Sequence, residues 1–263
     1  MFGLYDLVLD RLLEERLTAL GTDQIRVESE PLDPGDGFAA LAEHLRRVAR
    51  EALQGLTGED RLKAQVDLCN QVVGILQKAG GQHLANRAVA GVGHRLLSVQ
   101  KVESPLRRSP ERPDTPPGAG CLLTGTRLDP SLVSQLRKEL ETADSVDVLC
   151  SFIKWSGTRI LEDALRAFAE RPGTRLRVNT TSYLGATDLK AVELLRSLPG
   201  TEVRVSYDTK RTRLHAKAYL LHRATGFGCA YVGSANLSHA ALTEGLEWTV
   251  KISQYESPHL WIA

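Results

Sequence analysis

Val146–Ile153 (VDVLCSFI), Arg175–Asn179 (RLRVN) and Glu202–Tyr207 (EVRVSY) are short apolar runs rich in β-branched residues. Each reads as a strand. Around and between them, Pro130–Thr142, Arg159–Glu170 and Thr187–Leu198 place apolar residues at helical spacing. Strand and helix therefore alternate, which predicts an α/β domain built on a mixed sheet flanked by helices. Asp129-Pro130 predicts a helix start, the Asp oxygen serving a free N–H and proline standing where a missing N–H costs nothing. Further along, Leu214–Leu221, Cys229–Val232 and Leu246–Ile252 read as strands, with a short helix from Ser234 and a hairpin loop at Gly226 and Gly228.

Upstream the pattern changes. Five of the eleven prolines fall within VESPLRRSPERPDTPPGAG (102–120), where fixed φ angles and missing N–H groups exclude helix and ladder alike. Residues 101–120 read as a linker. Before it, Leu4–Leu13, Leu41–Leu53, Leu62–Leu76 and Leu84–Val99 keep helical periodicity. The expected organisation is a helical region over 1–100, the Pro-rich linker, and the mixed-sheet domain over 121–263.

The chain has 263 residues, with 33 Lys+Arg against 32 Asp+Glu and a net charge of +1. Attraction to a nucleic acid would have to come from a local surface, not from the overall balance. Residues 121–263 carry 18 Lys+Arg against 15 Asp+Glu, a slight basic excess. Cys69, Cys121, Cys150 and Cys229 form no C-x-x-C pair, so neither a zinc site nor a disulfide framework is expected. Acidic residues interrupt the N-terminal apolar pattern, and no window approaches 18 uncharged apolar residues. These features predict a cytoplasmic protein with reduced thiols and no membrane partner.

The chemistry concentrates in Arg213–His222 (RLHAKAYLLH) and Gly233–Ser238 (GSANLS). Strand periodicity puts His215 and Lys217 on one face. An imidazole can attack phosphorus, and an ammonium beside it neutralises the oxygens on which charge develops. Gly233-Ser234-Ala-Asn236 follows a strand, offering N–H groups, a hydroxyl and an amide to the same oxygens.

These residues resemble the phospholipase D superfamily, whose signature is His-x-Lys-x4-Asp followed by Gly-Ser/Gly-x-Asn. His215, Lys217, Gly233, Ser234 and Asn236 match, while His222 replaces the Asp. Some members lack that Asp and complete the site with a downstream Glu, a position that Glu247 fills here. The resemblance implies that Glu247 accepts from the second ring nitrogen of His215 and fixes its tautomer. It extends over Val148–Gly157, Thr180–Asp188, Ser206–Asp208 and Leu246–Trp248, and is closest to the phospholipase D-like nuclease domain, with its helical leader, at the N-terminus of some superfamily 2 DEAD/DEAH-box helicases. It implies a phosphodiesterase or endonuclease acting on DNA, in repair or defence. The alternative is a catalytically weak or inactive DNA-binding module serving a helicase motor in the same or another chain. No phosphate-loop motif is present in this sequence, so ATP hydrolysis is not expected. The abrupt end after Trp261 slightly favours a piece of a longer protein.

Superfamily members use two His-Lys sets around one phosphate, and this chain has one. The resemblance therefore implies a homodimer with two His215 side chains at the reacting phosphorus, needing no metal or cofactor. Lys154, Trp155, Arg204, Lys210, Arg211 and Arg213 are the candidate nucleic-acid contacts. Taken alone, Trp155 and Trp248 read as packed core aromatics, His222 as a strand-end residue turned to solvent, and His239 as a residue on an exposed helix face.

Overall fold

The computed structural model describes residues 4, 6–20, 26–35, 37–80, 84, 86–99, 109–208 and 214–261. The chain divides into two units, 1–102 and 103–263. Among the described residues no helix is long and apolar enough to cross a membrane.

In the first unit, α1 (Arg11–Ala19) starts where the Asp10 carboxylate accepts from the Leu13 N–H at 2.9 Å. The helices α2 (Gly37–Gly55) and α3 (Arg61–Gly80) follow. The helix expected over Leu84–Val99 does not form among the described residues there. Asn86, Gly91 and Gly93 take positive φ, and Asn70 of α3 bonds both the N–H and the carbonyl of Val89, holding that segment in turns.

The second unit is a mixed α/β domain. Its strands are β1 (Cys121–Leu123), β2 (Ser145–Cys150), β3 (Arg175–Thr181), β4 (Thr201–Ser206), β5 (Lys217–His222), β6 (Cys229–Gly233) and β7 (Thr249–Ser253). They form one sheet in the order β1-β7-β6-β5-β2-β3-β4. The β2-β3-β4 run is parallel and the remaining pairs are antiparallel. The helices α4 (Leu132–Leu140), α5 (Trp155–Ala169), α6 (Leu189–Ser197) and α7 (His239–Thr243) bury Leu136, Leu161, Leu195 and Leu242 in one core with Val148, Val178 and Tyr219 of the sheet. Alternation then puts Asp147, Arg177 and His222 on the opposite face.

Several boundaries depart from the sequence reading, β5 starting at Lys217 rather than Leu214 and β7 at Thr249 rather than Leu246. Asp129 caps nothing, because its carboxylate is taken by the N–H and hydroxyl of Thr124, both at 2.6 Å. Ser131 caps α4 instead. The helix expected from Ser234 begins only at His239, since Leu237 pairs with Ile153 in a parallel bridge and stays extended. Strand β1, three residues long, carries too little pattern to be seen in the sequence.

Residues 109–120, which proline density alone reads as linker, are fastened to this domain. The Lys251 ammonium donates to the Thr115 carbonyl (3.0 Å), its hydroxyl (2.9 Å) and the Pro116 carbonyl (3.3 Å). The same ammonium lies 3.2 Å from Glu139 of α4, a fully buried carboxylate that also meets Arg223 at 2.6 Å and accepts from the Tyr231 hydroxyl at 3.0 Å. Burial pushes the Glu139 carboxyl up, but Arg223 and Lys251 outweigh it and hold the group below its ordinary 4.5.

Glu139→Ala should therefore destabilise the domain by about 3–5 kcal/mol in urea unfolding, because it strands two buried cations. A lowered carboxylate contributes stability that is present above its ordinary value and is lost as pH falls through the folded value. Stability should thus drop below pH 4.5, and Glu139→Gln should flatten that part of the curve.

Candidate phosphate site

Strand β5 points Lys217, Tyr219 and Leu221 into the core face, and Lys217 is 8% exposed. Such a buried ammonium needs acceptors. It finds them in the His215 carbonyl at 3.1 Å and in whichever ring nitrogen of His215 carries no proton, the two lying 3.1 and 3.2 Å away. His215 itself is exposed. The Ser151 N–H donates to the Ala216 carbonyl at 3.0 Å, which carries the β2–β5 pairing past the strand end and steadies the His215–Lys217 step.

Asn236 comes to the same edge of the sheet. It is buried, and its side-chain carbonyl accepts from the Phe152 N–H at 3.3 Å, which leaves the NH2 as the group that can meet an incoming oxygen. Residues 235–238 are clasped on both sides. The Tyr219 hydroxyl donates to the Ala235 carbonyl at 3.1 Å, and the Lys154 N–H donates to the Leu237 carbonyl at 2.8 Å. At Gly157 of α5, a Cβ would collide with that same Leu237 carbonyl, so only glycine lets the helix approach this closely.

Ser234 and Glu247 meet each other. The Ser234 hydroxyl donates to Glu247 and accepts from the Trp248 N–H at 3.1 Å, and the Ser234 N–H donates to the Trp248 carbonyl at 3.0 Å. The expected contact between Glu247 and the second ring nitrogen of His215 is not made. Pairing of Gly233 with Thr249 in β6 and β7 delivers the carboxylate to the neighbouring hydroxyl.

His222 cannot stand in for the missing Asp at this edge. It ends β5 on the opposite face, about 16 Å along the strand from Lys217. There its Nε2 lies 3.0 Å from Asp147, which also accepts from Arg177 at 2.7 Å. Burial pushes Asp147 up, but bonds from Arg177 and His222 prevail and lower it. This histidine is tied to a carboxylate rather than turned freely to solvent.

The expected nucleic-acid contacts divide. Lys154 pairs with Asp188 at 3.2 Å, and Asp188 also accepts from the Trp155 N–H at 2.8 Å, so it caps α5 from outside the helix. That N–H bond and Lys154 hold Asp188 below its ordinary value despite some burial. Trp155 is half-buried, with the Lys190 ammonium 4.0 Å from its ring centre. Arg204 pairs with Glu202 at 2.6 Å on β4, three strands and about 14 Å from β5. Lys210, Arg211 and Arg213 lie outside the described residues.

Trp248 is no core aromatic: it precedes the β7 ladder and is 63% exposed beside Ser234. Asp188, Lys190 and the exposed Trp248 are the residues near this edge that pattern reading missed. Only the Asp before the α6 pattern carried a local signal. Among the described residues, no group of three or more His, Cys, Asp or Glu is arranged to hold a metal ion.

No family model matches this sequence, and no curated protein does. Among solved structures the chain is similar to NucT from Helicobacter pylori, at 18% identity and a TM-score of 0.40 over 55% of this chain and 89% of that one. It is similar to the phospholipase D family member Nuc from Salmonella typhimurium, at 18% and 0.40 over 55% and 90%. It also resembles yeast tyrosyl-DNA phosphodiesterase, at 12% and 0.32 over 51% and 31%. Similarities this remote assign neither family nor substrate to the chain.

The clasp is open to test by urea unfolding. Gly157→Ala should cost about 1–3 kcal/mol, because the added methyl must displace the Leu237 carbonyl. Asp188→Ala should cost about 1 kcal/mol by leaving the first N–H of α5 without its acceptor.

Proposed function

We propose that this chain is a phospholipase D-like phosphodiesterase acting on DNA, working as a homodimer without a divalent metal. The observation that supports it most is the buried Lys217 ammonium held against the exposed His215 ring, at the sheet edge that also receives Asn236.

In this reading one nitrogen of His215 attacks phosphorus, forming a P–N bond as the P–O bond to the leaving group breaks. The leaving oxygen takes its proton from His215 of the partner subunit. That imidazole then accepts a proton from water, whose oxygen displaces the first His215 from phosphorus. Lys217 shifts from the ring to the non-bridging oxygens, joined by the Asn236 NH2. Two copies supply two lysines, the charge that a divalent ion otherwise brings. Glu247 acts through Ser234, fixing the turn that leads to Asn236. Lys154, Trp155 and Lys190 form one flank available to the DNA backbone, with Trp248 beside the turn as a stacking surface.

The test is cleavage of labelled single- and double-stranded DNA by the purified chain in EDTA. Cleavage should persist in EDTA, and His215→Ala should lower it by about 10³-fold or more, with Lys217→Met close behind at about 10²–10³-fold. His222→Ala should leave the rate within about 3-fold, because that side chain sits some 16 Å away on the other face. Cleavage that needs magnesium and survives His215→Ala would overturn the mechanism. Salt-sensitive binding without turnover would instead support a DNA-binding module that serves a helicase-type motor.

A further inference from the structure

Leu184 is held where a leucine gains little from the fold. Its backbone lies at φ 58° and ψ 12°, the left-handed region that residues with a Cβ avoid, and it is 81% exposed, so burial does not offset the cost. The next residue, Gly185 at φ 61°, is the glycine that such a position ordinarily calls for.

The turn Tyr183–Gly185 is nonetheless firmly fixed. The Ser182 N–H and the Thr181 hydroxyl both donate to the Ser206 carbonyl at 3.0 Å, and the Tyr183 N–H donates to the Thr181 hydroxyl at 3.1 Å. The Gly185 N–H donates to the Ser182 carbonyl at 3.0 Å, and the Thr187 hydroxyl to the Thr181 carbonyl at 2.8 Å. Strain that its surroundings over-determine in this way clusters at sites that use it.

The position of the turn agrees. It follows β3 at the carboxyl ends of the parallel strands, the end at which open α/β sheets take ligands. This is also the edge of the candidate phosphate site, since Cys150 at the end of β2 pairs with Lys217. The loop runs on toward that site, where the Asp188 N–H donates to the Ile153 carbonyl at 2.9 Å. Tyr207 follows the Ser206 that pairs with Thr181, so it stands at the adjacent strand end, 79% exposed, and Leu189 is 71% exposed.

We propose that Leu184 and Tyr207 form a subsite for an unpaired base, which selects single-stranded over duplex DNA. An unpaired base offers its ring faces to apolar and aromatic side chains, whereas a duplex keeps those faces stacked on one another. Area favours a base over a protein partner: Leu184, Leu189 and Tyr207 expose on the order of 100 Å² each, well short of the roughly 800 Å² per partner of a standard protein interface. Strand β3 lies two strands from β5, about 10 Å, which suits a nucleotide next to the reacting phosphate. The fixed turn presents Leu184 already ordered, so binding does not have to order it. The subsite presupposes that the His215 edge is a phosphodiester site, and it decides which strand state that site takes.

Fluorescence anisotropy of the full chain carrying His215→Ala, with a labelled oligothymidylate of about 12 nucleotides and a duplex of the same length, tests it. The single strand should bind about 10-fold more tightly than the duplex. Leu184→Gly and Tyr207→Ala should each weaken single-strand binding about 10-fold and leave duplex binding within about 2-fold. Leu184→Gly should also raise the melting temperature by about 2–4 °C, because glycine adopts the turn without strain. Leu184→Ala keeps the strain and should lose the binding without that gain. Folded variants that hold the single strand as tightly as before, or that lose duplex binding equally, would overturn the subsite. Cleavage in EDTA by the chain with His215 in place separates the two ideas. Leu184-dependent binding without cleavage leaves the subsite standing and removes the phosphodiesterase, whereas cleavage of single and double strands at equal kcat/KM removes the subsite alone.

Discussion

The sheet domain is organised around one buried carboxylate. Glu139 reaches from α4 into the core and there meets Arg223 from the β5–β6 connection, Tyr231 from β6 and Lys251 from β7. A charge in that position is tolerable only while its partners are in place, and each partner comes from a different element. The consequence is registration: α4 cannot slide along the sheet, nor β7 along β6, without stranding a charge. Lys251 carries the same constraint outward to Thr115 and Pro116, which draws the end of the Pro-rich stretch onto the domain.

The candidate site depends on a second, smaller constraint, the close approach of α5 to residues 235–238. Gly157 permits that approach, Asp188 caps the helix where it happens, and Tyr219 supports the segment from β5. Asn236 is thereby fixed beside the strand that carries Lys217. The two ends of β5 end up chemically separate. His215 and Lys217 face one edge, while His222 is bound to Asp147 and Arg177 on the other face of the sheet.

Much of this could be read from residue order. The βαβ alternation was legible because strand and helix periods differ, whereas His215, Lys217 and Asn236 were singled out by their match to a motif, and the role given to them is a proposal. Other features misled for physical reasons. Leu84–Val99 has helical spacing, but Asn86, Gly91 and Gly93 adopt positive φ and side chains of α3 satisfy its backbone. Ser234–Leu242 contains helix formers, yet pairing of Leu237 with Ile153 keeps its first half extended. Trp248 reads as a core aromatic and lies exposed because the β7 ladder begins one residue later.

The sequence by itself determined which segments alternate between helix and strand and which residues are candidates for chemistry, since both depend on spacing along the chain. Only the tertiary structure decided whom they meet. Glu247 bonds Ser234 rather than His215 because β6 and β7 pair in one register, and Asp188 caps a helix that begins 33 residues earlier because α5 and α6 start from neighbouring parallel strands. Such partners are set by the packing of distant elements, and no local pattern encodes them.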